Sequence, residues 1–528
     1  MATLPSAPEI SAADTGHPRR WLILAVLVIC LLVVVLDHTI LNVALRVLAD
    51  PGQGLGASQA ELEWTLNSYT LAFAGLLFMF GVLADRYGRR RFLLAGLAVF
   101  GIASLVSTYA QVAGHLIAAR ALMGIGGAAI MPATLSIIST VFDPRERGRA
   151  IGVWAGAVGV GVAVGPITGG LLLEHFWWGS IFLVNVPVVL VGLVLIATLV
   201  PESRDPNPNR LDVLGVLLSV IGLTALVYGI IDGGEHGFDR PVVWLAIGAG
   251  LVVLTGFVIW ERSISYPSLD MRLFRDPRFS TAAGVIALTF FAALGVLFFV
   301  TFFLQLVRGY TPLEAGLLLL PFAASQVLVA PRSAALVARY GPKAVGVLGV
   351  SLTALALLGW VFVDQRTPIW VVCVMFLIQG AGMAMVMPPA MESILSTLPR
   401  ERAGVGSAVA NTVRQVGGAL GIAVLGAVVM AIYRAQLAPA LAQAPEAVRE
   451  RAAESIAGAY TVAAELDAEA LLPAADQAFL AAVHIAAAAS ASTAALAVLV
   501  VLRWLPGRPR AAVPAQSTPE LVGAQQET

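Results

Sequence analysis

Charge is what this chain lacks most. Asp, Glu, Lys and Arg make up 12% of its 528 residues, about half the roughly 25% usual in soluble proteins. Hydrophobic residues reach 59% and the mean hydropathy is +0.87. A water-soluble core could not absorb so many apolar side chains, so the solvent for most of the chain is lipid. Net charge is zero, which gives no ground for a nucleic-acid partner. Cysteine is scarce: Cys30 and Cys373 both lie in apolar runs, and neither a disulfide framework nor a metal site follows from them. The six histidines, at 17, 38, 115, 175, 236 and 484, show no metal-ligand spacing. Lysine is nearly missing too, with Lys343 alone among 32 basic residues; beside the abundant Ala and Gly, this reads as a GC-rich coding bias. There is no P-loop, so ATP bound on this chain is not its energy source. Nothing in the sequence points to catalysis or to a cofactor.

Long apolar runs are what the chain has instead. A hydrocarbon core of about 30 Å takes roughly 20 apolar residues in a helix. Fourteen segments qualify, at about 21–45, 64–84, 92–110, 114–138, 151–173, 180–200, 213–231, 243–260, 281–304, 314–337, 344–363, 369–392, 404–430 and 478–502. A backbone in lipid must satisfy its own hydrogen bonds, so each is read as a helix. The first follows Arg19 and Arg20 but continues into "LDHTILNVAL" without a small-residue cleavage site, and so reads as a retained helix. With the N-terminus inside, 23 Lys/Arg fall on the inner side and seven outside, while Arg120 and Arg414 lie within spans. That bias follows the positive-inside rule. It predicts a multi-pass protein of a bacterial cytoplasmic membrane with both termini in the cytoplasm.

The chain also repeats itself. "LADRYGRR" (83–90) is echoed by "LVARYGPK" (336–343), and "MGIGGAAIMPATLSIISTVFDPRER" (123–147) by "QGAGMAMVMPPAMESILSTLPRER" (379–402). The division predicted is a tail 1–20, a six-helix half 21–200, two inserted helices within 201–280, a second six-helix half 281–502, and a disordered cytoplasmic tail 503–528. An Ala-rich, acidic outer loop, 431–477, is expected to form short surface helices. Internal repeats of this kind mark transporters that rock one half against the other around a midplane site.

Four stretches carry chemistry. "GVLADRYGRRR" (81–91) packs five charges into eleven residues. Gly81 would permit close helix packing, and Asp85, where a helix meets the cytoplasm, can pair with nearby arginines or with a helix N-terminus. In "RALMGIGGA" (120–128), Arg120 stands within the bilayer at a cost of several kcal/mol, which calls for a partner. By helix rise, Asp37 lies about 6 Å and Arg120 about 9 Å below the outer face, nearly one level. A carboxylate whose proton affinity a neighbouring arginine controls is a usable proton carrier; snorkelling of Arg120 to the interface is the alternative. "GVAVGPITGG" (161–170) offers a small-residue face of Gly161, Gly165, Gly169 and Gly170, with Pro166 removing a helix hydrogen bond. Arg414 begins about 15 Å into its helix, near the midplane, where it is expected on a cavity wall with Asn411 and Gln415. Glu392, Asp232 and Gln305 fall at helix ends and are expected to cap there, and His38 turns to a different helix face from Asp37.

These motifs resemble the major facilitator superfamily over nearly the whole length. With "LDHTILNVAL", "WWGSIFLVNVPVV" (177–189) and "VANTVRQVGGALGIAVLGAV" (409–428), the chain further resembles the fourteen-helix drug:proton antiporters of the QacA/EmrB type. The resemblance implies an all-α membrane fold of two pseudo-symmetric six-helix bundles plus two inserted helices. It implies a conformational latch at Gly81, Asp85, Arg86, Gly88, Arg89 and Arg90, weaker in the second copy, where Ala338 stands in place of the acid. It implies proton coupling at Asp37 and Arg120, and a substrate cavity drawn from Asp37, Asn42, Met123, Asn411, Arg414 and Gln415. In the family, the pattern at Gly161, Gly165, Pro166, Gly169 and Gly170 separates exporters from symporters. Two positions depart from it: Met123, where Gln is frequent, and Arg46, where Pro is usual. The function expected is export of small amphipathic, cationic compounds by a monomer in exchange for protons, with the proton gradient and no cofactor as driving force. In a cavity, an acid could hold either a proton or a cation. A dedicated exporter of an endogenous metabolite, antibiotic or lipid stays open, and more remotely a non-transporting membrane sensor.

Overall fold

The apolar runs fold as helices throughout. The computed structural model describes residues 17–205, 212–267, 269–398, 403–466 and 468–505; most of the two predicted tails lies outside them. The first bundle comprises α1 (Arg20–Ala49), α2 (Gln59–Tyr87), α3 (Arg89–Thr108), α4 (Ala113–Val141), α5 (Pro144–His175), and the broken α6 (Ser180–Leu183) and α7 (Asn185–Leu199). An antiparallel pair follows, α8 (Val213–His236) and α9 (Pro241–Ser263). The second bundle comprises α10 (Pro277–Phe302) with a π-helical turn at Phe303–Val307, α11 (Pro312–Leu318), α12 (Leu320–Tyr340), α13 (Pro342–Gly359), α14 (Ile369–Ala384), α15 (Met387–Leu395), α16 (Ala403–Leu437) and α19 (Leu472–Trp504). Between the last two, α17 (Glu446–Glu454) and α18 (Ile456–Leu466) occupy the loop predicted to hold short helices.

Twelve described helical stretches are long and apolar enough to cross a membrane, and α2, bent by 54°, makes a thirteenth. The remaining predicted segment falls on α5, 32 residues long. Outward faces carry large apolar side chains, among them Leu245 and Val252 of α9, both 71% exposed. Such surfaces are tolerable only against lipid. We call the end where α1 begins the N-face and the opposite end the far face. On the far face, capping boxes start α2 (Ser58 with Glu61) and α11 (Thr311 with Glu314), satisfying amides that the first turn leaves open.

Glycines set how closely the helices lie. A Cβ at Gly126 of α4 would stand 2.7 Å from the Phe100 amide nitrogen of α3, so only glycine lets those backbones meet. The inserted α8 lies on both bundles: Trp64 of α2 stands 6.3 Å from its Tyr228 ring, and a Cβ at its Gly234 would come 2.6 Å from Ala427 Cα of α16.

The described contacts between the two bundles gather at the far face. Gln305 donates to the Val43 carbonyl of α1 at 2.9 Å. A Cβ at Gly170 of α5 would be 2.5 Å from Leu313 Cα of α11, and one at Gly316 of α11 2.8 Å from the Pro166 carbonyl carbon. The far face is therefore closed. This also corrects the capping role expected for Gln305. The π-helical turn puts its side chain inward, where it is 1% exposed, and it ties one bundle to the other.

Candidate transport site

Inside the first bundle, α1, α2, α4 and α7 bring together the two charges that the sequence places at one level. Arg120 Nη1 and Asp37 Oδ2 form an ion pair with side chains 0% and 1% exposed. Arg120 Nε donates to the Thr65 carbonyl at 3.3 Å, and its guanidinium lies 4.5 Å from the Tyr69 ring centroid. Asn185 Nδ2 donates to Asp37 Oδ1 at 3.2 Å and reaches Ser104 Oγ at the same distance. Ser104 is itself anchored on the Phe182 carbonyl at 2.8 Å. Burying two charges is costly, and close pairing with further hydrogen bonds is what offsets it. Arg120 does not snorkel. Asn185 was missed in the sequence, although an asparagine beside Pro187 in an otherwise apolar run is a usable signal.

Between the bundles lies a separate, small cavity of about 30 Å³. His38, Asn42 and Thr70 line it from one side and Gln415, Gly418 and Ile422 from the other. Asn42 and Gln415 line this cavity. Asp37 and Met123 do not. Successive helix residues are about 100° apart, so Asp37 points into the bundle while His38 takes the cavity wall. Met123 is 0% exposed and accepts from Ser107 Oγ at 3.5 Å, beside Arg120. Tyr69 forms the partition, 5.5 Å from the His38 ring on one side and stacked on Arg120 on the other. Arg414 of α16 rests 5.7 Å from the Phe290 ring centroid of α10. Asn411 is partly buried one turn before Gln415.

The N-face cluster works within one bundle in this arrangement. Asp85 pairs with Arg89 Nε at 2.8 Å. Arg90 donates to the Ala197 carbonyl at 2.7 Å, and its amide to Glu202 at 3.1 Å; Arg91 adds a looser pair with Glu202 at 3.6 Å. Gly88 caps α2 at φ +113°, a conformation that favours glycine. Arg86 lies 5.8 Å from the Tyr87 ring centroid. Among the described residues, none of these pairs reaches the second bundle. Gly81 is not demanded by packing, since a Cβ there would meet Pro132 at an ordinary 3.6 Å.

The glycines of α5 form two faces rather than one. Cβ atoms at Gly161 and Gly169 would press on Val35 and Ile40 of α1 at 2.7 and 3.0 Å, and one at Gly165 would overlap Thr39. Gly170 and Pro166 instead meet α11 of the other bundle.

A bundle pair closed at one face, with a buried ion pair beside a central cavity, defines a membrane transporter of the alternating-access type. The chain belongs to the Major Facilitator Superfamily, whose pattern matches residues 27–422, and it falls among that family's drug:proton antiporters. It is 35% identical to the multidrug efflux pump LfrA of Mycolicibacterium smegmatis over 87% of this chain and 91% of that one. It is 34% identical to the tetracenomycin C resistance and export protein of Streptomyces glaucescens, over 80% and 78%. A bacterial homologue of the human lysosomal transporter Spinster, solved inward-facing and unoccupied, shares the fold with a TM-score of 0.67 at 18% identity, covering 94% of this chain and 99% of that one.

Proposed function

We propose that the protein exports small amphipathic compounds, cationic ones included, across the bacterial cytoplasmic membrane in exchange for protons. Both termini are cytoplasmic, the N-face is the inner face, and the proton gradient alone drives the cycle, with no bound cofactor, in a monomer surrounded by membrane lipid. The observation that carries this reading is the buried Asp37–Arg120 pair, one side chain away from the cavity that His38 lines.

Proton and cargo occupy different sites and communicate through α1. A proton arriving on Asp37 cancels its charge and loosens Arg120, which then keeps the Thr65 carbonyl and the Tyr69 face. The change shifts α1 against α4 and moves His38 and Asn42 on the cavity side. Direct competition for one carboxylate would need a cavity-lining Asp37, and the burial of Asp37 beside Arg120 supports separate sites instead. The cavity wall is apolar with a few neutral polar groups, a lining that selects for amphipathic shape. Similarity to a tetracenomycin C exporter supports one further reading, a narrower exporter of a single natural product.

Everted membrane vesicles test the proposal. With an acid interior, they should accumulate ethidium or a similar dye, and a protonophore should abolish the uptake. Uptake indifferent to the pH gradient would overturn it.

A further inference from the structure

The far-face seam holds an acid that the transport site does not use. Glu63 lies about one turn into α2 and is 2% exposed. It borders a small crevice of about 10 Å³ lined by α2, α8 and α16. Its hydrogen-bond partner is Gln59, whose Nε2 is 3.5 Å from Oε1. Gly426 of α16 leaves room for the carboxyl: a Cβ there would stand 2.5 Å from its carbon and 2.6 Å from Oε2.

The charged groups around Glu63 are few. From α8 comes Glu235, of like sign. α16 presents Ala427 and Met430, while Arg434, further along, acts on Glu235 and Glu454. Among the described residues no cation pairs with Glu63. An ionised carboxylate placed so would lose water without gaining a counter-charge, at several kcal/mol, whereas a neutral carboxyl costs far less. The same seam must part when the far face opens, because Glu63 belongs to one bundle and Gly426 to the other.

We propose that Glu63 is a second proton-binding site, which holds a proton while the far face is closed and returns it to the far side as α16 leaves α2. A proton taken from and returned to one side does not enter the exchange stoichiometry. It makes far-side acidity a lock on the closed state, and it gives α8 a role as the third wall of the site. The sign follows from linkage: the closed state binds one more proton, so acid favours closure and alkali favours opening. The closed-to-open ratio changes by up to tenfold per pH unit. The inference rests on the alternating-access part of the reading above and not on Asp37.

Spin labels at Gln53→Cys and Arg366→Cys, both exposed on the far face, report opening by electron–electron distance in nanodiscs, with Cys30→Ala and Cys373→Ser in the background. Between pH 5 and 9 the parent should pass from one short distance to a mixture with a longer one. Glu63→Gln should hold the short distance at every pH, Glu63→Asp should keep a pH response, and Glu174→Gln, at an exposed acid of the same face, should leave the parent's response in place. A response that survives in Glu63→Gln, or vanishes in Glu174→Gln, overturns the proposal while leaving alternating access intact. A parent distance that never changes overturns both.

Discussion

Asp37 and His38 are neighbours in the chain and face opposite sides of α1: one is paired with Arg120 inside the first bundle, the other lines the cavity between the bundles. The proposed proton site and the proposed cargo site are thus one residue apart along the chain and separated by the Tyr69 ring. The two functions should separate by mutation.

Asp37→Asn removes the charge without removing a side chain from the cavity wall. Cargo affinity should stay within about threefold, because no cargo-facing group is lost. Arg120 is left buried without its counter-ion, a change worth roughly 3–5 kcal/mol when a buried pair is broken. Dye-binding titration and thermal unfolding in detergent check both parts; a tenfold loss of affinity would put Asp37 back in the cavity.

His38→Ala should do the reverse. Losing one polar contact of about 1–1.5 kcal/mol corresponds to roughly tenfold in Kd. The pH gradient should still accelerate export by the variant at saturating cargo. Loss of gradient dependence with unchanged Kd would contradict the partition.

Gly170 and Gly165 should fail differently. Gly170→Leu forces α5 and α11 apart at the far face, so labelling of far-face cysteines should rise and export should stop in a folded protein. Gly165→Leu strikes Thr39 within one bundle and should cost about 1–3 kcal/mol of stability, the usual range for overpacking. Val164→Leu, at a site 41% exposed, serves as the mild control. The same phenotype from both glycines would deny that α5 has two working faces.

The Asp85–Arg89 pair, 30% and 12% exposed, belongs to a class worth about 0–1 kcal/mol. Asp85→Asn should therefore leave stability nearly unchanged. If Asp85 latches the bundles when the N-face closes, turnover should fall, cargo Kd should hold, and cysteines on the N-face side of the cavity should label faster. Unchanged labelling with a large loss of affinity would deny the latch.

The all-helical fold and the Asp37–Arg120 pairing could be read from the sequence for one reason. Lipid forces helices, and helix rise converts residue number into depth, so two buried charges at one depth are partners. Depth was legible; azimuth was not. A residue's bearing around its helix depends on how that helix rolls against its neighbours, which is why Asp37 and Met123 were expected in the cavity wall and His38 was set aside. Gln305 misled for a related reason, because a π-helical turn altered its bearing at the helix end. The two faces of α5 follow from α1 and α11 approaching it from different bundles, information that no single segment contains. Glu63 sits among the acids of a helix start and shows its burial only once α8 and α16 are in place.

The central claim is that Asp37 couples protons to transport without belonging to the cargo site. Proteoliposomes test it in one measurement: dye accumulation driven by a pH gradient against dye-for-dye exchange at uniform pH, in the parent and in Asp37→Asn. The account predicts that the parent does both, and that Asp37→Asn keeps the exchange while losing accumulation. Gradient-driven accumulation by Asp37→Asn at the parent's rate would contradict it.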